Sequence, residues 1–349
     1  MQYENIELSF LSIFALITFF IFLLSQKFIN RYLLDQDFDK PQSFHSTPTP
    51  RCGGIAAAIS LIVLILIINT IFNNLYYDFL LISLGLFLVG FIDDVKYKIS
   101  PNLRLLLMII ILLTSINIFE IEIQHLDLNF LNNWLQNRFF SIFFISLCVL
   151  FIINGSNLVD GFNGLLAINL IFINSILLFI NLENENNDFS FFLTGQLIIL
   201  LSFLLFNFPT AKIFMGDGGS YLFGTLTSLN VIYTNNLNPN VSSFFFCILL
   251  FYLFFEVFFS FFRKIYLQKS PFMPDRSHLH MLVFFKLKDY FITEKSNYIN
   301  SLLINFVFFI ITFPSIFFRH NGYICKIWFL SLIVIYILIY LRLYRLTKK

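Results

Sequence analysis

Eleven apolar runs leave this chain few folds to choose from. They cover residues 8–24, 54–72, 79–92, 103–119, 139–153, 165–180, 191–208, 221–233, 242–262, 302–318 and 327–341. A helix needs ~20 apolar residues to cross the hydrocarbon of a bilayer. The strands of an outer-membrane barrel would alternate inward and outward with a period of two, and these runs do not alternate. The expectation is an all-α integral membrane protein, a polytopic bundle of about 11 transmembrane helices (10–11) forming one membrane-embedded domain over 1–349. Composition agrees, with 12% of the 349 residues charged against about a quarter in a soluble domain. The leader MQYENIE lacks the positive n-region of a secretory signal. No internal repeat stands out, and the four cysteines, without CxxC or zinc-like spacing, read as free thiols.

The basic residues orient the bundle. With the N-terminus outside and eleven crossings, the inside connections and the inside tail hold 19 of the 22 lysines and arginines, and only Arg138, Arg319 and Lys326 fall outside. That is the asymmetry of the positive-inside rule. One span more or fewer would scramble it. The reading is therefore a periplasmic N-terminus and a cytoplasmic C-terminus. The net charge of +2 by itself says nothing about nucleic acid, its distribution says more, and no nucleic-acid partner is expected.

Five polar islands then share the cytoplasmic side: HSTPTPRCGGI (45–55), GFIDDVKYKISPNLR (90–104), NGSNLVDGFNGLL (154–166), FPTAKIFMGDGGSYLFG (208–224) and SPFMPDRSHLH (270–280). The runs beside three of them, 79–92, 139–153 and 221–233, are short. The expectation is that polar loops sink below the interface there, which irregular backbone tolerates only where it lines protein or a watery cavity. The active-site loops are placed at about 25–53, 93–102, 154–164, 209–220 and 263–301, with Asp93, Asp94, Asp160 and Asp217 converging in a cytoplasm-facing cleft. Carboxylate and amide oxygens without cysteine suit magnesium or manganese. Glycines around Asp217 and after Asp160 let backbone N–H groups approach phosphate. Arg51, Arg104, Arg276, His278 and His280 supply donors to phosphate oxygens. Acidic metal ligands beside basic clamps are the parts of phosphoryl transfer. Singly, each motif has a plain reading: DD caps a helix, GDGG makes a turn, and SHLH is a weak metal motif. Their order and their shared side separate them from chance.

TPRCGGI, GFIDD followed by Arg104, NGSNLVDGFNGL, FMGDGGS with FG after it, and PDRSHLH together resemble the polyprenyl-phosphate N-acetylhexosamine-1-phosphate transferases, the WecA- and MraY-like group. The likeness runs from about His45 to His280. It implies attack by an undecaprenyl-phosphate oxygen on the β-phosphate of a UDP-N-acetylhexosamine (N-acetylglucosamine by default), releasing UMP in the bacterial inner membrane to initiate a cell-envelope polysaccharide, with magnesium, or manganese, on the diphosphate. The resemblance assigns Asp217 and Asn157 to the metal and Asp93, Asp94, Asp160 and Asp217 to catalysis. Asp93 is expected nearer the nucleophile and Asp94 in support. It assigns His45, Arg51, Arg104, Asn154, Asn163, Arg276, His278 and His280 to substrate, and it is compatible with a homodimer. Two positions depart from the pattern: Asn163 stands where an aspartate is usual, and Met281 interrupts the histidine run. The latter points to the WecA-like branch. Glu256, inside the ninth run, is a buried acid open to either a structural or a catalytic role. A transporter, a non-catalytic relative and a membrane phosphatase are the alternatives.

Overall fold

The computed structural model describes residues 2–29, 33–36, 47–74, 76–95, 97, 99–270 and 275–347, with side chains in the first helix from 8 to 28. Of the expected site residues, His45 lies outside the described ones. Among these, the elements in chain order are α1 (Gln2–Ile29), β1 (Leu34–Asp35), β2 (Thr49–Pro50), α2 (Gly53–Phe72), α3 (Tyr77–Asp94), α4 (Pro101–Ile118), α5 (Asn129–Leu135), α6 (Arg138–Val159), α7 (Leu165–Glu183), α8 (Asn187–Asn207), α9 (Gly216–Leu237), α10 (Ser243–Leu249), α11 (Phe251–Tyr266), α12 (Leu279–Leu287), α13 (Thr293–Thr312) and α14 (Gly322–Thr347). A 3-10 turn, Phe313–Phe318, follows α13.

Every apolar run falls on a helix. Among the described residues eight helices are long and apolar enough to cross a membrane, or nine if α10 and α11, bent by 74° between them, count as one span. The two remaining runs belong to α3, which carries Asp78, Asp93 and Asp94, and to α9, which is rich in Gly, Ser, Thr and Asn. Local chemistry sets several starts. Ser100 Oγ accepts from Leu103 N (3.3 Å) with Pro101 in the first turn of α4, and Asn137 Oδ1 accepts from Phe140 N (3.2 Å) at the start of α6. Both are side-chain caps on otherwise orphaned N–H groups.

The islands depart from expectation in one respect. They are mostly helix ends instead of sunken loops. α3 continues through Asp94, α6 carries Asn154 and Asn157 within its last turns, and α9 begins at Gly216. Helical backbone satisfies its own hydrogen bonds, so these polar side chains are carried on helix ends without exposing peptide groups. The hairpin β1–β2, with Leu34 opposite Pro50, is the other departure from an all-helical chain. The X-Pro steps of TPTPR favour extended backbone.

α9 is the axis of the molecule. It is buried along nearly its whole length and packs against α2, α3, α6 and α7. The approach of α3 is close enough that a Cβ on Gly90 would lie 2.5 Å from the carbonyl of Asp217. Farther along α9, Asn230 Nδ2 donates to Asn174 Oδ1 and to Gln196 Oε1, both at 2.8 Å, tying α7 and α8 to it. In hydrocarbon such amides associate helices where apolar contact alone cannot.

Candidate active site

Four chain segments meet at one end of α9. Residues 50–54 run beside 214–215, with Phe214 N donating to Pro50 O (2.8 Å), Gly53 N to Phe214 O (2.9 Å) and Gly54 N to Met215 O (2.9 Å). This clamp sets the start of α9 against the start of α2. Gly216 has φ +75°, and a Cβ there would lie 2.6 Å from the Asp94 carboxylate. A residue with a side chain would meet both an unfavourable backbone region and that carboxylate.

The adjacent aspartates do different work. Asp94 is 4% exposed. Its Oδ1 accepts from Asp217 N (3.0 Å) and its Oδ2 from Gly218 N (2.9 Å). It is thus a carboxylate supplied by α3 to the positive end of α9. Asp93, one residue earlier, has a side chain 31% exposed, and its Oδ2 accepts from Arg104 (3.2 Å). The same Arg104 nitrogen reaches Asp217 Oδ2 at 2.8 Å, so one guanidinium bridges two carboxylates. Arg51 pairs with Asp35 (2.7 Å) and reaches Asp94 (3.4 Å).

From α6, Asn157 Nδ2 donates to Asp217 Oδ1 (2.9 Å) and to Ser220 Oγ (3.1 Å). Asp160 ends α6, and its carboxylate has no hydrogen-bond partner among the described residues. Burial first, and the Asp217 charge second, push its pKa well above the usual carboxylate range. Desolvation and a like charge both disfavour the ionised form.

Several expected substrate residues stand elsewhere. The side-chain amide of Asn154 donates to Leu150 O (2.8 Å) within its own helix. Asn163 fastens the turn after α6: its Nδ2 donates to Pro209 O and its N–H to Asn297 Oδ1, both 2.9 Å. The aspartate expected at 163 lacks that amide donor, so the asparagine fits a structural clasp. Arg276 is exposed on the loop before α12. His278 and His280 are 2% and 0% exposed. His278 Nδ1 bonds Glu256 Oε1 (3.1 Å), Leu279 N donates to that same oxygen (3.1 Å), and Tyr336 of α14 donates to Glu256 Oε2. His280 Nδ1 bonds Tyr252 (3.1 Å), and its ring meets Phe162 edge-on, two residues from Asp160. Glu256 therefore serves as the anchor of the SHLH segment.

Sequence reasoning missed Asp35, Ser220 and Asn207, whose Oδ1 accepts from Gly164 N (2.6 Å). Asp35 lies in an acidic stretch where nothing singles it out. Ser220 was legible, standing one helical turn after Asp217.

Among the described residues no three His, Cys, Asp or Glu side chains form a ready metal site. What the cluster offers is hard oxygen donors, two guanidinium groups and the N-terminus of a buried helix, at the end of a membrane bundle. That combination defines a protein built to handle phosphate at a bilayer.

Residues 76–235, which carry the four aspartates and Asn157, match the Glycosyl transferase family 4 model. The undecaprenyl-phosphate alpha-N-acetylglucosaminyl 1-phosphate transferase of Thermotoga maritima is 27% identical over 269 residues, covering 76% of this chain and 78% of that protein. A probable undecaprenyl-phosphate N-acetylglucosaminyl 1-phosphate transferase of Bacillus subtilis is 28% identical over 321 residues, 86% of this chain and 81% of its own. A phospho-N-acetylmuramoyl-pentapeptide-transferase of Buchnera aphidicola is 29% identical over 265 residues, 64% and 74% respectively. Over residues 76–235 the chain is similar to glycosyl transferase family 4, and the relatives it matches are WecA- and MraY-like proteins.

Proposed function

We propose that this protein transfers the sugar-1-phosphate of a UDP-N-acetylhexosamine, N-acetylglucosamine first among them, to undecaprenyl phosphate. A lipid phosphate oxygen bonds to the sugar-bearing phosphorus, the bridging P–O bond breaks, and its electron pair leaves with UMP. The observation that carries this reading is the bridge from Arg104 to Asp93 and Asp217, with Asn157 on the second Asp217 oxygen. It gathers a partly exposed acid, a cation and a metal-competent pair at a single point.

Magnesium fits this donor set. It is usually held by one or two carboxylates with substrate phosphate and water completing the octahedron. Asp217 and Asn157 would hold it, the amide turning by half to present its oxygen. When bound, the ion neutralises diphosphate charge. Arg104 then shares its donors between Asp93 and a phosphate oxygen, Asp94 fixes the end of α9, and Asp93 faces the incoming lipid phosphate. Asp160, with no partner of its own, faces the nucleotide-sugar side.

In this reading the eleven apolar runs cross the bacterial inner membrane with the N-terminus periplasmic and this end cytoplasmic. The basic-residue asymmetry supports it. The nucleotide then arrives from the cytosol and the lipid from the bilayer. The bend between α10 and α11 sets α11 against α6, and lipid entry is assigned to this place.

Purified protein in detergent, given undecaprenyl phosphate, magnesium and a panel of UDP-N-acetylhexosamines, should release UMP only when lipid and metal are both present, and Asp217→Ala should abolish it. No UMP from folded protein across the panel would overturn the assignment in favour of a non-catalytic or transport role.

A further inference from the structure

Outside the carboxylate cluster, a groove of ≈ 450 Å³ runs between α13 and α14, floored by α11 and α12. From α14 it takes residues at helical spacing, from Leu332 to Leu346, a length of about 21 Å at 1.5 Å per residue. That exceeds one leaflet of a hydrocarbon core ~30 Å thick. Its rims, including Leu303, Val307 and Ile335, are exposed along the bundle surface, so the groove opens sideways to lipid.

Only two lining residues are charged, Lys286 and Arg342, toward the ends of α12 and α14. Lys286 pairs with Asp289 (2.6 Å). Arg342 is exposed and has no hydrogen-bond or ion partner among the described residues. The floor tyrosines give their hydroxyls to the other side, Tyr252 to His280 and Tyr336 to Glu256, and turn apolar ring faces to the groove. The result is an apolar slot one acyl chain long with an unpaired guanidinium at its mouth.

We propose that this groove binds one acyl chain of an anionic phospholipid, with the lipid phosphate on Arg342 and Lys286. An apolar slot of this length would go unfilled by a free phosphate, and a neutral hydrocarbon would leave Arg342 unused. Cationic residues at a membrane surface attract anionic headgroups, and arginine takes phosphate in a two-pronged fashion. Because the floor includes Tyr252 and Tyr336, an occupied groove braces the segment bearing His278 and His280. Lipid composition thereby acts on the SHLH segment from behind. The proposal does not rest on the transfer reading.

Trp328 supplies the probe, since its Nε1 donates to Ile311 O (3.0 Å) in the groove wall. The chain's other tryptophan, Trp134 on α5, is removed by Trp134→Phe. The full chain is reconstituted in phosphatidylcholine vesicles containing phosphatidylglycerol with brominated acyl chains, and Trp328 quenching is compared with that by brominated phosphatidylcholine. The expected preference for phosphatidylglycerol is on the order of fivefold per engaged cation. Arg342→Gln should reduce it, and Arg342→Gln with Lys286→Gln should abolish it. Ile335→Phe, which fills the slot and leaves the charges, should reduce quenching to that of unselective boundary lipid. Equal quenching by the two lipids, or a preference that survives the double substitution, would overturn the proposal. So would displacement of brominated phosphatidylglycerol by undecaprenyl phosphate at lower mole fraction, or protection of Trp328 by a second copy of the chain.

Discussion

Asp94 and Asp93 are neighbours in sequence, yet the geometry predicts opposite behaviour when each is replaced by asparagine. Asp94 accepts two backbone N–H groups at a buried helix start. Hydrogen bonds to a charged group contribute about 1.5–3 kcal/mol each, and an orphaned buried donor costs ~1–3 kcal/mol. An asparagine retains one acceptor and turns its own NH2 toward the second N–H. It also leaves Arg51 without one of its two carboxylates. Breaking a buried charged arrangement costs ~3–5 kcal/mol, and we expect Asp94→Asn in that range. At roughly 2 °C per kcal/mol for a chain of this size, the melting midpoint in detergent should fall by ~6–10 °C. Asp93 is partly exposed and bonded only through the shared Arg104, an interaction of at most ~1 kcal/mol. Asp93→Asn should therefore melt within ~2 °C of the parent while UMP release falls ~10²-fold or more, as for loss of one preorganised polar group. Thermal unfolding and turnover measured on the same preparations decide the matter. An Asp94→Asn protein that melts with the parent, or an Asp93→Asn protein that melts with Asp94→Asn, would refute the division of labour.

Three further outcomes are expected. Asn157→Ala should leave membrane insertion and melting nearly unchanged but sharply reduce transfer, and normal turnover would remove Asn157 from the site. Gly90→Ala, whose added methyl would meet the Asp217 carbonyl, should push α3 from α9 and lower both melting midpoint and activity; an overpacked contact of this kind costs ~1–3 kcal/mol. Tyr336→Phe removes a donor to the buried Glu256. It should raise KM for the nucleotide sugar more than it lowers kcat, because it loosens the SHLH segment and leaves Asp217 untouched; an unchanged KM would dissociate that segment from substrate binding.

The helices and the acids were legible in the sequence because both depend on local pattern. Continuous apolar runs have one solution in a bilayer, and carboxylates cannot be placed there without cause. Roles were less legible. Nothing in the letters DD tells that the second aspartate turns to the end of a helix 123 residues away while the first remains open. That follows from the depth at which α3 crosses α9, which Gly90 sets. Asn154 and Asn163 sit in the right island, but helix phase turns one back onto its own backbone and the turn geometry uses the other as a clasp. His278 and His280 were recognisable as a motif, whereas their burial depends on Tyr336 from the final helix, a contact no local pattern contains.

The character of α9 bears on how the molecule comes to exist. This helix holds Asp217, is threaded with Gly, Ser, Thr and Asn, and packs against protein on nearly every side. Left alone in lipid, it would have little to hold it there. Its place depends on α2, α3 and α6 having already arrived, and its first turn is closed by residues from α3 and the β2–α2 junction. During biogenesis, therefore, the reactive centre does not accumulate piece by piece. A nascent chain that has yet to deliver α9 to its neighbours has acids and arginines but no cleft, and the carboxylate cluster closes only when this single polar helix joins them.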